Sequence, residues 1–181
     1  CVGPALAEVR DVRALIALAR AQPGKLTFAS SGIGGAHHLS GEMFKSLANI
    51  DIVHVPYRGG APAHIDLLAG RVHMIFDNIP QGLQSLREGK VKALAVTSAR
   101  RAPQAPEIPT MAEFLPGFEI TSWGGVSGPA GMNPAIVQRI NELAKQAVEH
   151  PDVRPPVEAN GAPVGGATPP GLKATLTLGK R

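Results

Sequence analysis

Residues 26–60 read LTFASSGIGGAHHLSGEMFKSLANIDIVHVPYRGG, and this stretch decides the fold. Residues 26–30 form a short run between turn residues, which indicates a strand, and residues 52–56 repeat that pattern. Between them a helix is predicted to begin near Ala36. Helical spacing puts four apolar side chains on the face expected to pack against a sheet: Leu39, Met43, Phe44 and Leu47. A strand, a helix and a second strand in this order predict a parallel pair joined by the helix.

The same alternation continues on both sides of this stretch. Upstream, Asp11 is predicted to cap a helix with Val12, Leu15, Ile16 and Ala19 on one face. Downstream, helices are predicted at 61–69 and 80–87, and strands at 72–76 and 91–97. The predicted fold class is therefore α/β, with a mostly parallel sheet flanked by helices.

The chain beyond residue 97 departs from this alternation. The pattern predicts an extended proline-rich segment at 98–109, a short helical stretch at 110–114 and an extended segment at 120–126. Asn133 and Pro134 then open an amphipathic helix that ends at Glu149. From Pro151 onward, Pro155-Pro156, Gly165-Gly166 and Pro169-Pro170 are expected to interrupt any helix.

Composition excludes several classes of protein. The 181 residues carry 18 basic and 14 acidic side chains, a dispersed net charge of +4 with no polybasic run, and only 4% aromatics, which disfavours nucleic-acid binding. Cys1 is the only cysteine, so an internal disulfide framework or a cysteine-based metal site is excluded. No apolar run is long enough to insert into a membrane, and no secretory leader pattern stands at the start. The opening Cys-Val-Gly-Pro indicates an internal fragment or a mature product.

Three strand-to-helix loops, which begin at Ser30, Tyr57 and Asp77, leave the carboxyl ends of predicted parallel strands. Ligands bind at that edge of open α/β sheets. The first loop has small residues and free amides before a helix, which suits a carboxylate or phosphate. Its candidate residues are Ser30, Ser31, Gly32 and Gly34. The alternative is that these glycines only make tight turns.

The other two loops add polar groups. Tyr57, Arg58, Gly59 and Gly60 offer a hydroxyl, a guanidinium and exposed amides for an oxygen-rich anion, although Arg58 is equally compatible with a solvated surface charge. Asp77 and Asn78 could accept a ligand N–H or hydroxyl. Their alternative role is to cap the helix at Pro80.

Motifs of catalysis, nucleotide binding and metal binding are missing from the sequence. The glycines of the first loop match neither the dinucleotide motif nor a P-loop, and the closest approach to a hydrolase elbow is Gly125-Val126-Ser127-Gly128. His37 and His38 with Glu42 do not form the zinc-protease arrangement. His54 and His73 fit structural roles in strands, and His64 and His150 are predicted to lie on the surface. No catalytic residue, metal site or cofactor is predicted.

Several long motifs in series resemble the Bug/TctC family of solute-binding receptors, which serve tripartite tricarboxylate transporters. They run from 23 to 32 (PGKLTFASSG), from 38 to 44 (HLSGEMF) and from 51 to 62 (DIVHVPYRGGAP), and continue through Phe76-Asp77-Asn78 to Pro129-Ala130-Gly131. The resemblance implies a periplasmic binding protein-like (type II) fold of two lobes and a small carboxylate ligand: a di- or tricarboxylate, an amino acid or an aromatic acid. It also implies periplasmic localisation, membrane permease subunits as partners and no catalysis. By position it assigns ligand contacts to Ser30, Ser31, Gly32, His37, His38, residues 57–60 and Asp77.

The sequence departs from the family pattern at both ends. About a hundred residues that precede Val9 in the family, and supply most of the first lobe, have no counterpart here, and the proline-rich end replaces helices and a strand. Residues 10–122 are therefore predicted to form one complete lobe, 123–154 to cross back toward an incomplete lobe, and 155–181 to form an irregular tail. Two alternatives stay open: a fragment of a receptor without function, and a hydrolytic α/β enzyme that uses Ser31 or His38 in an anion pocket.

Overall fold

The computed structural model describes residues 1–122 and 128–159. The chain divides into two compact units, Cys1–Ser122 and Trp123–Arg181. The predicted boundaries at residues 122 and 154, and the predicted crossing back to another lobe, stay predictions.

The first unit alternates helices and strands as the sequence predicts. After a 3₁₀ turn at Pro4–Leu6 come α1 (Val12–Ala21), β1 (Thr27–Ser30), α2 (Ala36–Ala48), β2 (Val53–Pro56), α3 (Gly60–Leu68), β3 (Met74–Ile75), α4 (Ile79–Arg87) and a 3₁₀ turn at Met111–Glu113. The prediction for α1 is confirmed in detail, because the Asp11 carboxylate accepts a hydrogen bond from the Ala14 amide at 2.8 Å while Leu15 and Ala19 are buried.

The sheet has three parallel strands in the order β2-β1-β3. Phe28 pairs with His54 on one side and with Met74 on the other, so β1 is the central strand. The predicted α/β class with a parallel sheet is confirmed. All three strands run in the same direction, so their carboxyl ends meet at one edge.

The predicted strand at 91–97 is wrong. These residues form only isolated bridges, an antiparallel one between Val2 and Lys92 and a parallel one between Val96 and Thr110. The chain start occupies the position beside β3: the Ile75 amide donates to the Cys1 carbonyl, while Val2 and Lys92 exchange two backbone hydrogen bonds of 2.9 and 3.0 Å. A short antiparallel segment thus separates residues 91–93 from the parallel sheet.

The predicted packing face of α2 is partly wrong. Leu39 and Leu47 are 50% and 43% exposed, whereas the buried face of the helix carries His37, Ser40, Gly41, Phe44 and Ala48. The cause is a close approach of the helix to the sheet, since a Cβ on Gly41 would overlap the Phe28 ring. Small side chains allow that approach, and the larger leucines are turned to the outside.

The second unit contains α5 (Pro134–Glu149) and α6 (Arg154–Ala159). The prediction for α5 is confirmed, and the Asn133 side chain accepts a hydrogen bond from the Ala135 amide at 2.9 Å. The expectation that Pro155 and Pro156 interrupt any helix is wrong, because both lie in the first turn of α6, where a missing N–H breaks no intrahelical bond. Residues 123–126 of the predicted extended segment, and the tail from residue 160, lie outside the described residues.

Candidate functional site

The three predicted loops leave the sheet at one edge and at one level. Ser30 pairs with Pro56 and Ala29 with Ile75, so the residues that follow each strand are neighbours across the sheet. The first two loops are also joined directly, since the Tyr57 amide donates to the Ser30 carbonyl at 3.0 Å and the Gly59 amide to the Ser31 carbonyl at 3.3 Å. The structure thus brings the first and second groups of candidate residues together.

Each of these loops leads into a helix whose first turn has no side-chain cap. The N-cap residues are Gly35 for α2, Gly59 for α3 and Asn78 for α4, and none of them makes a side-chain capping hydrogen bond. The first amides of a helix have no acceptor within the helix and carry the positive end of its dipole. The edge therefore presents a set of backbone donors suited to an anion.

Glycine backbone conformations keep these loops open. Gly32, Gly34 and Gly59 have φ angles of 143°, 81° and 114°, which residues with a Cβ rarely adopt. A Cβ built on Gly34 or Gly59 would meet no atom within 4 Å, so the space beside the backbone is empty. A ligand can come close to the loop backbone here, while the amides of these three glycines are themselves hydrogen-bonded within the loops.

Ser30 and His38 hold the shape of the first loop. The buried Ser30 hydroxyl donates to the Gly32 carbonyl at 3.0 Å and accepts from the Gly32 amide at 3.2 Å, and its oxygen lies 2.6 Å from Nε2 of His54. The Gly34 amide donates to Nδ1 of His38 at 3.1 Å. Since both side chains are already hydrogen-bonded within the loop, they position its amides.

The His54 ring is stacked between Phe28 and His38, with ring centroids 4.9 and 4.1 Å apart. Burial and the neighbouring His38 lower the pKa of His54, so its neutral form is favoured. The sequence-based expectation of a structural role for His54 agrees with these contacts.

His37 differs from the other histidines of the loop. It is 7% exposed on the buried face of α2, and its Nδ1 has no hydrogen-bond partner among the described residues. Buried polar atoms normally have a partner, so an unpaired nitrogen in the first turn of α2 favours a ligand or an ordered water nearby.

The second loop offers less side-chain chemistry than its sequence suggests. The Tyr57 hydroxyl donates to the Asp66 carboxylate at 2.8 Å, and the same carboxylate pairs with Arg71 at 2.8 Å. Burial and the bond to Asp66 raise the pKa of Tyr57 to about 12. The hydroxyl proton is therefore not available to an anion, while the exposed Arg58 has no ion-pair partner among the described residues.

In the third loop, Asp77 lies in a buried network. Its side chain is 1% exposed; Oδ1 accepts from the Asn78 amide at 2.9 Å and Oδ2 lies 2.8 Å from Nδ1 of His64. Nε2 of His64 lies 2.7 Å from the Ser85 hydroxyl. The predicted surface position of His64 is wrong, because its side chain is only 14% exposed. The alternative capping role is also wrong for Asn78, whose side chain makes no cap hydrogen bond.

The described residues hold no group of three or more histidine, cysteine or acidic side chains arranged for a metal ion. Nor do they include a helix with the length and hydropathy needed to cross a membrane.

The family model of the tripartite tricarboxylate transporter family receptor, TctC, matches residues 1–165. The chain belongs to this family. A relative described as a UPF0065 protein in the tcbD-tcbE intergenic region of Pseudomonas sp. (strain P51) is 43% identical over 170 residues, which cover 93% of this chain and 51% of the relative. The chain thus spans about half the length of that relative.

Solved structures of related proteins show the same fold. The structure described as R. palustris Rpa4515 with adipate has a TM-score of 0.91 and 35% identity, over 98% of this chain and 59% of that one. The structure of the periplasmic binding protein BugD has a TM-score of 0.88 and 30% identity, over 98% and 60% of the two chains. The predicted Bug/TctC family and the periplasmic binding protein-like fold are confirmed. Each of these neighbours is longer than the chain described here.

Proposed function

We propose that this chain binds a small carboxylate at the carboxyl edge of its sheet, as one lobe of a periplasmic receptor for a tripartite tricarboxylate transporter. The observation that carries the proposal is the convergence of three helix starts without side-chain caps on one edge. Adipate in a neighbour of 35% identity supports a dicarboxylate as the ligand class.

In this proposal the ligand carboxylate is held mainly by backbone amides. Those of Ser31 and Gly60 lie at the two joined loops, and the unpaired Nδ1 of His37 is a further donor or acceptor. Exposed Arg58 attracts an anion to the edge from a distance. The loops around the ligand are held in shape by Ser30, Gly34, His38 and Tyr57. The third loop, which contains Asp77 and Asn78, borders the site.

The proposed role is capture and delivery without chemical conversion. Of the side chains that the enzyme alternative would use, Ser31 and His38, the imidazole of His38 is occupied by the hydrogen bond from the Gly34 amide. Membrane permease subunits are the proposed partners, and the periplasm is the proposed location.

Calorimetric titration with adipate, malate, citrate and benzoate tests the function. We expect binding of at least one dicarboxylate, and tighter binding once the preceding half of a relative is fused ahead of Cys1, because a second set of loops would bury more of the ligand. Absence of binding in both proteins contradicts the proposal.

A glycine pair tests the site within that titration. Gly59 and Gly89 both have positive φ angles, 114° and 68°, and open space beside them, but Gly89 follows the carboxyl end of α4. Gly59→Ala is expected to weaken adipate binding at least about tenfold, since the strained loop moves its amides. Gly89→Ala should lose stability only. Equal affinities in the two variants would place the ligand elsewhere.

A further inference from the structure

The network of His64, Asp77 and Ser85 joins three elements of the first unit. His64 comes from α3, Asp77 from the loop after β3 and Ser85 from α4, and the imidazole lies between the other two at 2.8 and 2.7 Å. Nε2 of His64 is hydrogen-bonded to Ser85, and Nδ1 lies in close contact with the Asp77 carboxylate. The arrangement fixes the Asp77 side chain from two sides, because the Asn78 amide holds its other oxygen.

The order of these three groups is that of a hydrolase triad, but their surroundings do not fit catalysis. Ser85 lies within α4 and is 6% exposed, so a substrate has no access to its hydroxyl. A nucleophile requires an exposed oxygen beside oxyanion donors. The contacts therefore point to a role in holding Asp77.

Asp77 lies at the proposed carboxylate site, where its negative charge disfavours an anionic ligand. Ala29 pairs with Ile75, so Asp77, two residues further on, leaves the sheet at the level of Ser31 in the first loop. A carboxylate next to amides that bind a carboxylate repels the ligand, and burial strengthens the repulsion.

We infer that His64 is a positioning residue that holds the Asp77 carboxylate and turns it away from the ligand, and that Ser85 orients the imidazole for this task. The inference rests on the proposed function, since it concerns the same edge. It differs from the sequence-based prediction that Asp77 contacts the ligand directly.

Adipate titrations of His64→Ala, Asp77→Asn and the double variant test this inference. His64→Ala releases the Asp77 carboxylate toward the ligand, and we expect about tenfold weaker binding because the like charges then approach each other. Asp77→Asn removes the charge, so its affinity should equal or exceed that of the unchanged protein. The double variant should regain the affinity that His64→Ala loses, a rescue that loss of packing alone would not give.

Salt and a second histidine supply the controls. At about 1 M salt the deficit of His64→Ala should change little, because Asp77 is buried and salt screens buried charges weakly. His150→Ala removes the exposed partner of Asp152, 3.6 Å away in the second unit, and should leave binding unchanged. If His64→Ala does not fold, His64→Leu, which fills the space but offers no N–H donor, replaces it in the cycle.

The outcomes separate the two proposals. Loss of binding in Asp77→Asn alone would make Asp77 a ligand group and overturn the inference, as would a double variant as weak as His64→Ala. Equal affinity of His64→Ala and the unchanged protein would also overturn it while leaving the carboxylate site intact. No binding of adipate by the unchanged protein or its fused form would instead remove the proposed function.

Discussion

Two kinds of helix start occur in this molecule, and they differ in what satisfies the first amides. In α1 and α5, the side chains of Asp11 and Asn133 accept hydrogen bonds from the backbone at 2.8 and 2.9 Å. In α2, α3 and α4, at the carboxyl edge of the sheet, no side chain takes that position. Relative to a capping Asp or Asn, the glycine N-caps of α2 and α3 cost about a few tenths of a kcal/mol. The helices at the edge therefore lack the stabilisation that a capping side chain gives, and their first amides stay available to a ligand.

A cap added at the edge is expected to have the largest effect. Gly35→Asp places a carboxylate at the N-cap of α2, where the backbone is already extended and a Cβ would come no closer than 4.0 Å to the Gly32 carbonyl. Adipate affinity should fall more than about tenfold, because the new side chain takes the amides and repels the ligand, while stability rises by about a few tenths of a kcal/mol. Calorimetry and urea unfolding measure the two effects. Gly35→Ala, which adds no acceptor, is the control, and equal affinity in both variants would contradict the comparison.

Removal of a cap away from the edge should lower the stability of the protein and leave its affinity for adipate unchanged. Asp11→Ala is expected to lower the free energy of unfolding by about 1 kcal/mol through the lost bond to the Ala14 amide. Adipate affinity should stay unchanged. Asp11→Asn, which keeps an acceptor, should restore most of the stability. A change in affinity in Asp11→Ala would show that caps act on the site through global stability.

His54, which packs beneath the first loop, is expected to make the free energy of unfolding depend on pH. Burial and His38 lower the pKa of His54 below its ordinary value of 6.5. Below that value the unfolded chain gains a proton that the folded chain resists, so stability is full above pH 6.5 and falls as the pH drops toward the lowered pKa. Urea unfolding from pH 8 to pH 5 should show this slope, and His54→Gln should flatten it. An identical slope in the variant would assign it to other groups.

The acidic cap at the turn near residue 111 predicts a smaller effect at lower pH. Hydrogen bonds from Arg101 and the Thr110 amide lower the pKa of Glu113 from 4.5 to about 2. The stabilisation is therefore complete above about pH 4.5 and is lost as the pH falls toward 2. Glu113→Gln should lower the melting temperature slightly at pH 7 and not at pH 2. A deficit that persists at pH 2 would point to packing instead of charge.

The sequence predicts the order of elements and the loops well, because periodicity and turn residues are local signals. The Asp11 cap and the three loops at one edge follow from such patterns. Predictions failed where a contact between distant residues decided the structure. The close approach of Gly41 to Phe28 selects the buried face of α2, and the pairing of Val2 with Lys92 displaces the predicted fourth strand.

The candidate site shows the same division. The positions of Ser30, Tyr57 and Asp77 could be predicted, but their partners could not. His64 and Ser85 are 21 residues apart in sequence, and their bond exists only because α3 and α4 meet. The sequence does place a histidine on the helix before a strand that Asp77-Asn78 follow. That pattern is too weak to distinguish a buried partner of Asp77 from a surface side chain.

Amide chemical shifts during titration with adipate test the central claim most directly. In the ¹⁵N-labelled chain, we expect the largest shifts at residues 31–38 and 59–61, and none at residues 12–14 or 135–137, where α1 and α5 begin with their own caps. That pattern would place the ligand on the uncapped helix starts. Saturable shifts at the capped starts, or binding that leaves residues 31–38 and 59–61 unchanged, would contradict the account.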